Sequence, residues 1–479
     1  MIIPLHRPLL PLALCFLLGA CAITRVEPPA PVLGPAQFKE SGLWQKATTA
    51  GPVAVPDEWW TLFKDPVLDE LERRLVVGNE NLKSLAAAVR SSRAVVQASR
   101  SALFPTLSTG LSATRSGNSL TAPSGAAQNP GTTVALTANS SWDLDLWDRL
   151  GQISGAAEAT LQASVNDLAA ARLSVQAALA QSYFSLRTAE AQQGLLSRST
   201  QAYQRALELT QARYDGGIAM RTDVLQAQTQ LRSAQAQLAD LTAQRAQLEH
   251  AIAVLLGLQP SSLSIEVTGK VAAVPTVPTT LPSALLQRRP DIAAARSRLL
   301  AAYGQIGVAD AAFFPALTLS SNAQFTQSSL ASLVNEPNFL WSVGSALAQS
   351  VLDGGQRKLA SAQARSSADQ ATSSYRQAVL TALQEVEDNL VLADQLQREA
   401  QLQQEASQFA QRNLEITLDQ YRSGTVNYLS VVVAQNAALN SESTLLSARN
   451  RQLAAVNLLL KNIAGRWDSI SGKQAITAE

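Results

Sequence analysis

The sequence is short of charge, histidine, sulfur and aromatic rings, and each shortage removes a class of function. Only 16% of the 479 residues are charged, 38 basic against 37 acidic, so the basic surface on which nucleic-acid binding depends is missing. Two histidines, His6 and His250, rule out a multi-histidine metal site, and two methionines offer no thioether relay for copper. No Gly-x-Ser-x-Gly, Gly-x4-Gly-Lys-[Ser/Thr] or His-Glu-x-x-His string occurs, which turns the reading away from an enzyme. Beyond the N-terminus no stretch reaches eighteen continuous apolar residues, so any membrane crossing must be a β-barrel. What is abundant is alanine, 80 residues, and glutamine, 42. That mixture suits long helices with small, polar, weakly charged surfaces.

The N-terminus reads as a targeting segment. His6 and Arg7 precede an apolar run from Leu9 to Ala20, which is too short to span a bilayer and has the length of a signal-peptide core. It ends in Leu18-Gly19-Ala20-Cys21, a tetrad resembling a bacterial lipobox, in which the cysteine is lipidated and becomes the new N-terminus. Cys15 lies in the removed part, so the mature chain cannot form an internal disulfide. Ala22, in place of an aspartate, resembles lipoproteins sent on to the outer membrane. The Pro-rich residues that follow (Pro28, Pro29, Pro31, Pro35, Pro52, Pro56) read as an extended linker.

The rest of the chain repeats itself. Leu103-Phe104-Pro105-Thr106-Leu107 returns as Phe313-Phe314-Pro315-Ala316-Leu317, and Tyr214-Asp215-Gly216-Gly217 returns as Tyr421-Arg422-Ser423-Gly424. Two matches in the same order, about 210 residues apart, are far beyond a solenoid period and indicate two similar halves. The expected organisation is a signal peptide over 1–20, a lipidated linker over 21–56, a first repeat over 57–257, a linker over 258–282, a second repeat over 283–465 and a tail over 466–479. Each repeat is read as helices enclosing a β-hairpin (about 104–147 and 314–352), followed by a helical hairpin with its tip at 214–217 or 421–424.

Proline is absent from 131–259 and from 338 onward, and glycine is absent from 356–423. These stretches predict helices of some 40 to 70 residues, the longest about 100 Å at 1.5 Å per residue. Leu231 and Leu238, and Leu439, Leu446, Leu453 and Leu460, recur every seven residues, as in a coiled coil. Between the helices the period drops to two. Leu107, Thr109, Leu111 and Ala113 share one face, as do Val134, Leu136, Ala138 and Ser140. In the second half Leu317, Leu319, Ser321, Ala323 and Phe325 alternate in the same way, followed by Phe339, Trp341, Val343, Ser345 and Leu347. Each run has the length of a tilted membrane strand, with Trp142, Trp147, Phe339 and Trp341 at or near strand ends. A small soluble hairpin packed on the helices is the alternative. Four strands are too few for a membrane barrel, so the chain must oligomerise to close one.

Two further strings carry a resemblance. Trp59-Trp60-Thr61-Leu62-Phe63-Lys64-Asp65-Pro66-Val67-Leu68 and Leu281-Pro282, continuing to Arg288-Arg289-Pro290-Asp291-Ile292, resemble the opening and signature motifs of the TolC-like outer membrane factor family, in its lipoprotein branch. The resemblance covers nearly the whole mature chain. It implies an α+β membrane protein: a homotrimer closing a 12-strand barrel, with an α-helical tube of antiparallel coiled-coil helices in the periplasm. It also implies partners, a periplasmic adaptor and an inner-membrane transporter of the resistance-nodulation-division type, with outer membrane lipid around the barrel. It implies no cofactor beyond a lipid on Cys21. The hairpin tips at Tyr214, Gly217 and Gly424 would contact the adaptor. The family's closing network is an Asp–Tyr–Arg lock with an acid ring. Asp223 and Tyr421 match the first two, with Asn427 as a further partner, whereas Val426 stands at the arginine, and Ser430 and Val433 stand at the acids. Asp223 as a plain cap of the helix starting near Met220 is the competing reading.

Other charged strings read as structural: Asp143, Asp145 and Asp148 as strand-to-helix caps with Asp353 as their counterpart, Glu385, Glu387 and Asp388 as a solvated cluster, and His250 as a helix-surface residue. The expected function is a passive exit duct of a tripartite efflux pump carrying drugs or other small molecules. The alternatives are the duct of a type I protein secretion system and a structural lipoprotein without a pore.

Overall fold

The computed structural model describes residues 26–32, 38–40, 58–117, 131–277, 288–334 and 336–464. Cys21 with the signal segment, most of the Pro-rich linker, residues 118–130 between the first two strands, residues 281–287 of the signature string and the C-terminal tail lie outside the described residues. Along the chain the elements are α1 (Pro66–Gly78), α2 (Glu80–Ser101), β1 (Thr106–Ser116), β2 (Gly131–Leu144), α3 (Arg149–Asp215), α4 (Arg221–Leu255), α5 (Pro290–Ala311), β3 (Ala316–Gln327), β4 (Phe339–Ala348), α6 (Gln356–Arg422) and α7 (Tyr428–Ile463). The α3 helix runs for 67 residues through Gly151, Gly155 and Gly194 without a break, because each glycine costs only about 1 kcal/mol in a long helix.

The chain divides into two compact units. One contains Ala88–Val165 and Ala294–Tyr375, with all four strands in a single antiparallel sheet ordered β1-β2-β3-β4. The sheet is entered twice through the same corner. The helix preceding each Phe-Pro pair closes with Phe104 N donating to Ser101 O, or Phe314 N to Ala311 O, both at 3.1 Å, and the proline bars any continuation. Trp142 Nε1 donates to Leu103 O at 2.9 Å, and Trp147 Nε1 to Pro315 O at 2.7 Å. The Trp147 ring stacks on Phe314 with centroids 4.8 Å apart. At the strand-to-helix junctions the carboxylates act as caps. Asp145 accepts from Leu150 N and Gly151 N at 3.0 and 2.8 Å, and Asp353 accepts from Gly355 N and Arg357 N at 3.0 and 3.2 Å.

The second unit contains Val32–Ala87, Asn166–Ala293 and the chain from Arg376 onward. Its core gathers Trp59, Trp60 and Phe63, α1 residues Leu68 and Leu75, Tyr183 and Phe184 of α3, Ile252 of α4 and Leu453 and Leu460 of α7. Asp65 starts α1: one oxygen accepts from Val67 N at 3.0 Å, and the other accepts from Tyr183 Oη at 2.7 Å. Two glycines cross at the ends of α1 and α4. A Cβ on Gly78 would lie 2.1 Å from Leu256 O, and one on Gly257, whose φ is +70°, would lie 2.1 Å from Gly78 O. Only backbone without a side chain fits this approach, and Asn79 Nδ2 secures it by donating to Leu255 O at 2.6 Å.

A buried polar cluster ties the segment after α4 to the helices. Arg187 donates to Glu190 at 2.8 Å, with side chains 2% and 0% exposed, and to Glu266 O at 2.7 Å. Glu190 also accepts from Thr268 N and Gly269 N, while Arg245 bridges Glu190, Glu249 and Ile265 O. With its charges paired and backbone amides satisfying the carboxylate, this cluster avoids the cost of an isolated buried ion. Glu72 on α1 differs: it is fully buried, and neither carboxylate oxygen has a hydrogen-bond partner.

Candidate functional site

The sheet has one apolar and one polar face. In an antiparallel ladder directly paired residues point to the same side. The register aligns Leu111 with Leu136, Leu136 with Phe325 and Phe325 with Phe339. It likewise aligns Thr109, Ala138, Ala323 and Trp341, and then Leu107, Ser140, Ser321 and Val343. All four alternating sets expected from the sequence therefore fall on one face. The opposite face carries Ser108, Asn139, Asn322 and Ser342 in one row and Gly110, Thr137, Gln324 and Leu340 in the next. Asn322 Nδ2 donates to Asn139 Oδ1 at 2.6 Å, and Thr318 Oγ1 to Asp143 Oδ1 at 2.9 Å.

Among the described residues much of the apolar face is left exposed, with Val134 buried. β1 and β4, the two edge strands, are exposed along their entire lengths; Leu107 and Val343 are each 74% exposed and Trp341 71%. A sheet with bare hydrophobic side chains and two unpaired edges is an aggregation template in water. In hydrocarbon, with its edges paired to further copies, both defects vanish. Among the described residues no helix is long and apolar enough to cross a membrane.

The helical hairpins turn by one device used twice. Gly217 N donates to Tyr214 O at 2.9 Å and Ile218 N to Arg213 O at 2.8 Å; Gly424 N donates to Tyr421 O at 3.0 Å and Thr425 N to Gln420 O at 2.9 Å. These are Schellman closures, with the glycines at φ +71° and +82°. Tyr214 is 37% exposed beside the first turn.

The expected closing residues gather near the tips, yet the expected bond is absent. Asp223 Oδ2 accepts from Met220 N at 3.3 Å, and Asn427 Oδ1 accepts from Ser430 N at 3.1 Å, so each caps its own helix. Among the described residues no hydrogen bond joins Asp223 to Tyr421. Tyr421 Oη lies 3.2 Å from Thr210 Oγ1, and since the Thr210 hydroxyl donates to Ala206 O, the tyrosine is the donor. Tyr421 is only 5% exposed, packed edge-on against Tyr428 with centroids 5.6 Å apart. Burial pushes the Tyr428 phenol up to about 12. Val426 packs against this cluster, Val433 is exposed, and Ser430 joins the Asn427 cap.

The other charged strings have structural partners. Arg289 grips Asp291 through two nitrogens at 3.1 and 2.6 Å and reaches Glu385 at 2.8 Å. Burial pushes the Asp291 carboxyl up, but the Arg289 hydrogen bond and charge outweigh it and hold the group below its ordinary value. Glu387 accepts from Lys39 N and Glu40 N, both at 2.8 Å, anchoring the incoming chain. His250 is exposed on α4. Among the described residues no group of three or more histidine, cysteine or acidic side chains is placed to hold a metal.

Known proteins match this arrangement over almost the full chain. The outer membrane efflux protein family model matches twice, at residues 73–258 and 281–465. The toluene efflux pump outer membrane protein TtgF of Pseudomonas putida is 31% identical, over 98% of this chain and 99% of its own length. The antibiotic efflux pump outer membrane protein ArpC of Pseudomonas putida is 28% identical, over 98% and 97%. Among solved structures, the outer-membrane channel OprN superposes with a TM-score of 0.84 at 26% identity, covering 93% of this chain and 100% of that one. The chain belongs to the outer membrane efflux protein family, whose members are passive outer-membrane channels of efflux pumps and not enzymes.

Proposed function

We propose that this chain is the exit duct of a tripartite pump for small organic molecules, working with a periplasmic adaptor and an inner-membrane transporter of the resistance-nodulation-division type. The observation carrying this is the sheet: polar on one face, apolar on the other, with both edge strands exposed along their lengths. Three copies supply 12 strands, enough to close a barrel around the polar face. A lining dominated by Ser, Thr, Asn and Gln, with Asp143 among them, discriminates weakly, so cargo choice rests with the partners. Relatives named for toluene and antibiotic efflux support hydrophobic drugs and solvents as cargo. Deleting the gene should raise cellular accumulation of a hydrophobic fluorescent dye and lower resistance to such compounds, with export of proteins unchanged. Unchanged dye accumulation together with a lost secreted protein would overturn small-molecule efflux.

Within the same reading Cys21 carries an N-terminal lipid that holds the protein at the outer membrane. Cys21→Ser should abolish palmitate labelling of the mature chain; labelling that persists removes the lipobox assignment. The tips form the resting closure, with Tyr421, Asp223 and Asn427 among its residues. Tyr214, Gly217 and Gly424 meet the adaptor. Asp223 Oδ1 has no partner among the described residues, which leaves it available across the threefold axis.

A further inference from the structure

One side chain joins the two hairpin tips of a single chain. Arg213, in the last turn of α3, has its own carbonyl committed to the Schellman closure, accepting from Ile218 N and Ala219 N at 2.8 and 3.2 Å. Its guanidinium reaches the other hairpin. Arg213 Nη1 donates to the Tyr421 carbonyl at 2.5 Å, and the guanidinium carbon lies 4.7 Å from the centre of the Tyr421 ring. The second nitrogen covers Gly424, where an added Cβ would stand 3.4 Å away. Among the described residues Arg213 forms no ion pair with a carboxylate.

The chemistry of this contact is specific to arginine. The Tyr421 carbonyl already accepts from Gly424 N at 3.0 Å and uses its remaining lone pair for the guanidinium. It belongs to the last turn of α6, where the helix dipole presents partial negative charge. A planar cation can hydrogen-bond to that carbonyl and lie over the phenol ring at once. Tyr421 is thus held at both ends from α3: its hydroxyl by Thr210, its carbonyl and ring face by Arg213. Asp223 takes no part.

We propose that Arg213 is the positioning residue that latches the second hairpin tip to the first and so keeps the resting duct closed. This rests on the tips being the closure proposed above. The test uses purified full-length trimers of Arg213→Ala, Arg213→Lys and Arg221→Ala. The last removes the same charge from the same tip at an exposed residue. Hydrogen exchange at the amides of Gly424 and Thr425 and single-channel conductance are both recorded. Arg213→Ala should raise exchange there about tenfold, the change expected from losing one charge-assisted hydrogen bond, and should raise mean conductance. Arg213→Lys, which keeps the charge but not the planar face, should fall between Arg213→Ala and the parent. Arg221→Ala should match the parent. Unchanged exchange in intact Arg213→Ala trimers, or an equal effect of Arg221→Ala, overturns the latch. Raised exchange with unchanged conductance keeps the tie between the tips but overturns the tips as the closure.

Discussion

Arginine at Leu111 is expected to prevent assembly of the trimer in membranes, whereas arginine at the next residue, Ser112, is expected to be tolerated. The two positions are neighbours in β1 and differ only in the face they occupy. Leu111 sits in a row with Leu136, Phe325 and Phe339, and Ser112 pairs with Ala135 on the polar face. Leu111 is also near mid-strand, where lipid is deepest. A cation there costs roughly 2–4 kcal/mol per chain, and three chains incur it together. At Ser112 the same side chain meets water in the lumen. Heat-modifiable migration of the trimer on gels, followed by its melting temperature in detergent, separates the two variants. Equal tolerance at both positions would remove the lipid-facing assignment of this strand.

Glu72→Gln is expected to stabilise the protein at neutral pH and to flatten its stability profile between about pH 5 and 9. Burial pushes the Glu72 carboxyl up to about 9, only partly opposed by the charge of Arg172. Its folded value therefore lies above its unfolded one, so the native state binds the proton more tightly. The stability that comes from the protonated acid is complete below the unfolded value of 4.5 and is lost progressively as pH rises toward 9. At pH 7 about 3 kcal/mol has already been lost at 1.4 kcal/mol per pH unit. Glutamine has the same shape and does not ionise. Its melting temperature should exceed that of the parent at pH 8 and approach it at pH 4. A parent profile that does not fall between pH 5 and 9 would show that Glu72 is solvated or paired.

The sequence carried the strands and long helices because each has a local period. Alternation located β1 through β4 and named the residues of the apolar face, and the absence of glycine and proline set α6 to within one residue. Both tip glycines were legible because only a positive φ explains glycine repeated at that place. Contacts between distant residues were not legible. Glu72 lies in Leu71-Glu72-Arg73-Arg74, which reads as a solvated helix face, and its burial follows only from the core assembled around α1. Arg213 reads as an ordinary basic residue at a helix end, and its partner lies 208 residues away. The Asp223–Tyr421 bond fails within the chain because each group finds a nearer partner: a helix amide for the carboxylate, Thr210 for the phenol. The Arg289–Asp291–Glu385 contact supplies the physical content of the signature string, since it pins the start of α5 to α6.

The most direct measurement is current through purified trimers in a planar lipid bilayer without partners or nucleotide. A passive water-filled duct gives discrete, ohmic steps that scale with salt concentration and need no energy source. Trimers that insert but pass no ions, even with Arg213→Ala and Asp223→Ala combined, or a current that requires nucleotide, would contradict the account.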